Sequence, residues 1–151
     1  MKAPGKAALH IASITLSFLC FPASPASAHH ATAAEYDVSK TVALKGTITR
    51  VDWANPHIHV YMEIKPERGG VQEWDVEFPS PGAAIIAGLS RQTLTTGVVL
   101  TFEGYLSKPD FHPNPRKNSS QDEHFAVPRH FACATGITLS GGDHFTFVVG
   151  I

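Results

Sequence analysis

HIHVYMEIKPERGGVQEWDVEF, running from His57 to Phe78, decides how the chain folds. In its first half Ile58, Val60, Met62 and Ile64 alternate with His57, His59, Tyr61 and Glu63. Successive side chains of a strand point to opposite sides, so this run has one apolar and one polar face. Its second half repeats the pattern, with Trp74, Val76 and Phe78 set against Glu73, Asp75 and Glu77. The charged segment KPERGG between them carries the residues a turn needs, and the two runs read as a β-hairpin.

Strand character continues upstream. In TVALKGTITRVDW (41–53) apolar residues fall at Val42, Leu44 and Ile48, then at Val51 and Trp53, so the alternation slips by one near Thr49 and Arg50. A slip of this kind inside a strand predicts a bulge that bends it. Asn55-Pro56 marks a turn into the hairpin. Downstream, Ser80 is a candidate N-cap with Pro81 at the first helical position, and Gly88 weakens or ends the short helix that follows. LTTGVVLTFEGYL returns to strand, and FACATGITLSGGDHFTFVV reads as a ribbon turning at Gly141-Gly142. Between them residues 107–130 hold four prolines among polar residues and read as a long exposed loop. The order of three strands, a short helix and two further strands is that of a mainly β, small five-stranded OB-like Greek-key barrel with one short helix. A β-sandwich is the rival architecture.

The front of the chain sets its own expectations. Lys2 and Lys6 precede the apolar run AALHIASITLSFLCF, and PASPASA places Ala26 and Ala28 where signal peptidase requires small residues. Residues 1–28 therefore read as a cleaved signal peptide, 29–40 as an N-terminal arm and 41–151 as one β-domain, of periplasmic or secreted location. The run is too short and interrupted to span a bilayer, and no membrane span is expected after processing. A lipoprotein reading through Cys20 fits less well, because Leu19 stands where a small residue is wanted.

Cleavage after Ala28 leaves 123 residues, enough for one domain with its own core. It also leaves 10 basic against 13 acidic residues, a net charge of −3 with histidines neutral. That balance argues against nucleic acid as a partner. Cys133 is the sole cysteine kept, so no internal disulfide can form. It alternates with apolar residues and reads as a small buried hydrophobe. No phosphate-cradling glycine loop, hydrolase nucleophile elbow or c-type haem motif is present.

The same cleavage would make His29 the first residue and His30 the second. A terminal histidine carries an α-amino group, of pKa about 7.7 to 8.0, beside its own imidazole. Together they can chelate a cation, and one more imidazole completes the three-nitrogen set that Cu(II) prefers, a histidine brace. His57 and His59 are the candidates to complete it: two apart on one strand face, their α-carbons lie about 6 to 7 Å from each other. An in-phase hairpin would put Asp75 or Glu77 opposite His59, where a carboxylate can orient a ligand imidazole. The candidate metal ligands are therefore His29, His57, His30 and His59, with copper ion as the cofactor. The plainer reading makes His57 and His59 part of a solvated strand face and the His29-His30 pair hydrophilic residues on a frayed arm. His112, His124 and His130, with nearby acids, are weaker candidates, and His144 in the final turn is expected to face water. Trp53 and Trp74 fit inward strand positions and are assigned to the core.

These residues also carry a resemblance. Ala-His-His after the leader, WANPH after the first strand, EW in the third, then SPG, RQTLTTG and the TLSGGDHF ribbon together resemble a bacterial family of small exported proteins known as a domain of unknown function. That family's pattern falls on His29, His30, Trp53, Asn55, Pro56, His57, Trp74, Ser80, Pro81, Arg91, Leu94 and Gly97. The resemblance runs from His29 to about Gly104 and resumes at Phe131. The chain departs from it at Ala87-Gly88, where a basic residue and glycine are more usual, and in the longer 107–130 loop. The resemblance implies export and a small β-domain, and it supplies no reaction.

Function is thus expected to be binding, transfer or sensing of a transition metal, in contact with a periplasmic protein partner. No separate catalytic base is evident, and a domain of this size has little room for a deep substrate pocket, which disfavours an oxidative enzyme built on the same ligands. The alternative is a metal-free OB-like interaction module that docks a protein or a glycan.

Overall fold

The computed structural model describes residues 32–111 and 130–149. One helical turn, α1 (Thr32–Glu35), leads into β1 (Tyr36–Asp52), followed by β2 (Ile58–Ile64), β3 (Gln72–Phe78), α2 (Pro81–Ile86), β4 (Val99–Ser107), β5 (His130–Leu139) and β6 (His144–Thr146). The strands form one sheet in the order β3-β2-β1-β4-β5-β6, and β3 pairs additionally with β5. Five strands thereby close into a ring, with β6 attached antiparallel to β5 outside it. The β3–β5 seam is parallel; the other ring pairings are antiparallel.

The mainly β, barrel-like architecture expected from the alternation is the one the chain adopts, with a short helix between the third and fourth strands. Two details differ. There are six strands rather than five, because the terminal ribbon divides at its glycine turn into β5 and β6. β1 also begins at Tyr36, inside the segment that reads as an arm.

The slip in the first strand is a true register shift. Ile48 pairs with Met62 and Arg50 with Tyr61, which leaves Thr49 as the extra residue. The RQTLTTG segment clasps this bulge: Gly97 N donates to Ile48 O at 2.8 Å, Ile48 N to Val98 O at 2.8 Å, and Thr96 Oγ1 to Thr49 O at 3.2 Å. Gly97 has φ +88°, a conformation that disfavours any residue with a Cβ. The bend lets the 17-residue β1 serve β4 along its first part and β2 along its last.

Inside the ring the alternating apolar residues make one core. Ile48, Ile58, Val60, Met62, Val76, Phe78, Leu100, Phe102 and Ile137 are almost fully buried, each side chain worth about 1.5–3 kcal/mol of transfer from water. Ser80 caps α2 by accepting from Ala83 N at 3.3 Å, and Pro81 opens the helix. Gly88, at φ +94°, ends it, and the chain then sends Leu89 and Leu94 to join Ala84 in the core. At the β4–β5 seam a second register shift lies between Glu103 and Gly104. There the two backbones approach so closely that a Cβ on Gly104 would sit 2.0 Å from the Cys133 carbonyl oxygen.

Candidate functional site

The outer face of the β2–β3 hairpin carries two histidine–carboxylate pairs. In register, His59 lies opposite Glu77 and Tyr61 opposite Asp75. The side chains bond along the diagonal instead. His59 Nδ1 meets Asp75 Oδ1 at 2.9 Å, and His57 Nδ1 meets Glu77 Oε1. Diagonal neighbours on adjacent strands lie within reach of long side chains. The second oxygen of Glu77 is taken as well: Tyr36 donates its hydroxyl to Oε2 at 2.9 Å. One carboxylate thus joins the start of β1 to the histidine that follows the Asn55–Pro56 turn.

Burial on this side of the sheet is unusual for its polarity. Asp75 is 8% exposed although it points away from the apolar core. Parallel pairing brings Phe131 beside it and Cys133 beside Glu77, so β5 covers the acidic strand. Burial pushes the carboxyl of Glu77 upward, but the hydrogen bond and charge of His57 and the hydroxyl of Tyr36 outweigh it and hold the group below its usual range. An ionised carboxylate can only accept, so the imidazole facing it, charged or neutral, carries a proton on Nδ1, and the neutral form leaves Nε2 bare. This is the arrangement by which carboxylates orient metal-binding histidines.

Cys133 behaves as the buried hydrophobe expected. Its thiol is pushed up to about 12, by burial first and then by the charges of Glu77 and Glu35. The neutral thiol therefore favours the folded state: its contribution is whole below pH 9.0, the ordinary value, and is lost as pH rises toward about 12. Two results follow. Iodoacetamide at pH 8 should leave Cys133 unlabelled in the native protein and label it in urea, and the urea midpoint should fall above pH 9.0 less steeply in Cys133→Ala than in the wild type. Rapid labelling of the native protein would contradict this placement.

Among the described residues the other two histidines, His130 and His144, do not join the pairs. His130 stacks on Trp74 with centroids 4.8 Å apart, and His144, exposed as expected, bonds to Thr138 and Thr146 hydroxyls. His29, His30, His112 and His124 lie outside the described residues. Among the described residues no group of three or more His, Cys, Asp or Glu side chains could hold a metal ion. His57 and His59 thus contribute two oriented imidazoles, and a complete set would need further donors.

Sequence reasoning missed Tyr36 and Arg50, and it gave Arg91 a place in the family's pattern but no contact. The Arg50 guanidinium lies 3.9 Å from the Tyr61 ring centroid on the same outer face. Arg91 lies over the Trp53 ring, 5.3 Å from its centroid, and donates to the Trp53 carbonyl at 3.3 Å. Trp74 is core as expected, whereas Trp53 is half-buried and walls an open groove of about 280 Å³ with Val51, Arg91, Leu94, Thr95 and Thr96. The WANPH element and the RQTLTTG turn, distant in sequence, therefore meet at one place: the first delivers His57 to Glu77, and the second braces the bulge that aims it.

A family model covers both of these elements, matching residues 18–112. The chain belongs to DUF6152, a family of unknown function. Within this DUF6152 chain the match holds β1 to β4, including Tyr36, His57, His59, Asp75 and Glu77, and ends before β5. No curated protein matches the chain. Among the described residues no helix is long and apolar enough to cross a membrane.

Proposed function

We propose that this DUF6152 protein is an exported, periplasmic or secreted, binder of a transition metal, copper by preference, with His57 and His59 as strand-borne ligands and His29 and His30 as ligands from the arm. The observation that carries the reading is the pairing of His59 with Asp75 and His57 with Glu77, which fixes two imidazoles on one sheet face through Nδ1. Metal-binding histidines are held by carboxylates in this way, and loss of such a partner costs about 10–100-fold in affinity. Cleavage after Ala28 would add an amine and an imidazole on one residue, completing the nitrogen-rich set that Cu(II) favours. Binding, transfer or sensing fits this ligand set better than turnover.

The test begins with mass spectrometry of the secreted protein, which should place the N-terminus at His29. Copper titration of that material, followed by electron paramagnetic resonance, should give one equivalent with nitrogen hyperfine structure. His57→Ala should weaken binding by about 100-fold, at the upper end of what loss of a carboxylate partner alone costs. Copper affinity unchanged in both His57→Ala and His59→Ala would end the proposal.

A second reading is a metal-free interaction module that docks a protein or a glycan. It draws on Ile85 and Ile86 of α2, 62% and 89% exposed. It predicts a melting temperature unmoved by copper and partner binding weakened by Ile86→Ser.

A further inference from the structure

The groove beside Trp53 has a chemistry of its own. Leu94, 2% exposed, and Val51 give it an apolar base, and the half-buried Trp53 indole forms one side. The Arg91 guanidinium stands over that ring, 5.3 Å from its centroid, and one of its N–H groups donates to the Trp53 carbonyl at 3.3 Å. A guanidinium carries five N–H donors in a rigid fork, so donors remain for a pair of oxygens brought into the groove. Thr95 and Thr96 add hydroxyls at the rim, and the Thr96 hydroxyl, which donates to Thr49 O, keeps its lone pairs for accepting. Among the described residues no carboxylate lines the groove, and Arg91 is its one lining charge. The clasp on the β1 bulge also fixes this rim, because Gly97 N and Thr96 Oγ1 are bonded to the Ile48 and Thr49 carbonyls. Donors held in place beforehand spend less of their binding energy on ordering.

We propose that this groove binds a sugar acid, one hexuronate unit: Arg91 takes the carboxylate, Trp53 carries the C–H face of the ring, and Thr95 and Thr96 bond its hydroxyls. Three observations select that ligand. A volume of about 280 Å³ stands at the small end of ligand sites and suits a single six-membered ring. A guanidinium with no acid beside it in the groove favours an anion, and a carboxylate matches its fork with two parallel bonds. The threonines then choose among ring acids: an aromatic acid leaves both hydroxyls to water, whereas a hexuronate offers them partners, and its apolar ring face still covers the indole. The proposal does not rest on the metal reading. None of these residues is a proposed metal ligand, and the groove is also separate from Ile85 and Ile86.

The experiment is a titration of the full-length protein with D-glucuronate, followed by proton–nitrogen correlation spectra with a chelator present so that copper plays no part. The chain has two tryptophans and therefore two indole signals. That of Trp53 should shift saturably, with a Kd of about 1 mM, ordinary for one ring in an open groove. That of Trp74, buried and donating from Nε1 to Gln72 Oε1 at 3.2 Å, should stay in place. Arg91→Gln should weaken binding by about tenfold or more, the worth of a hydrogen bond to a charged group. Arg91→Lys, which keeps the charge and loses the fork, should recover only part of it. Because Arg91 also holds the Trp53 carbonyl, Thr95→Val provides a second variant that removes a hydroxyl without touching that turn, and it should cost about threefold. Glucose binding as tightly as glucuronate would overturn the role of the carboxylate. Acetate or benzoate matching glucuronate would overturn the sugar, and no Trp53 shift at about 10 mM glucuronate would overturn the site itself.

Discussion

Phe102→Ala should lower the free energy of unfolding by about 3–5 kcal/mol, measured by urea denaturation at neutral pH. Phe102 has no exposed surface and lies tilted against Trp74 with ring centroids 6.2 Å apart. In β4 it pairs with Leu44 of β1 on one side and with Ile137 of β5 on the other. Truncation would leave a void the width of a ring among strands whose mutual pairing closes the barrel, so the walls cannot collapse into it cheaply. A domain of this size has about 5–15 kcal/mol of stability in total, so the loss would consume much of it. Phe102→Leu keeps most of the volume and should cost about 1.5 kcal/mol or less. An alanine variant within 1 kcal/mol of wild type would show that this centre is not packed as described.

Gly104→Ala is expected to cost about 3 kcal/mol or to prevent folding, an addition of one methyl group that overpacks backbone against backbone. The new carbon would lie 2.0 Å from the Cys133 carbonyl oxygen and 2.9 Å from its carbon. Neither is the movable tip of a side chain. Relief would require β4 and β5 to separate, and β5 is also the strand that covers Glu77 through Cys133. The same variant should therefore loosen the histidine face, seen as faster amide exchange in β3. Thermal melting within 2 °C of wild type would contradict the close approach; by contrast about 4–8 °C per kcal/mol is usual for a domain near 100 residues.

Much of this architecture is legible in the residues because the hairpin's pattern is strong. Period-two alternation assigns Ile58, Val60, Met62 and Ile64 inward, and a slip at Thr49 signals the bulge. Turn and cap residues mark α2 through Ser80, Pro81 and Gly88. Alternation says which way a side chain points, but not which edges of a sheet meet, and for that reason the parallel β3–β5 seam cannot be read from it. The candidate site divides the same way. The shared face of His57, His59, Asp75 and Glu77 follows from parity alone, whereas the diagonal choice of partners depends on side-chain rotamers that spacing does not encode. Tyr36 escapes for a different reason: ATAAEYDVSK is small and polar, and the aromatic ring within it is buried by partners distant in sequence, among them Glu77 and Phe111, 41 and 75 residues away.

The ring closure has a practical corollary for anyone cutting the chain by homology. The segment matching DUF6152 stops at residue 112, one strand short of completing the circle. A fragment trimmed there would keep β3 and β4 with raw flanks seven and nine residues long, templates for stacking with further copies into aggregates.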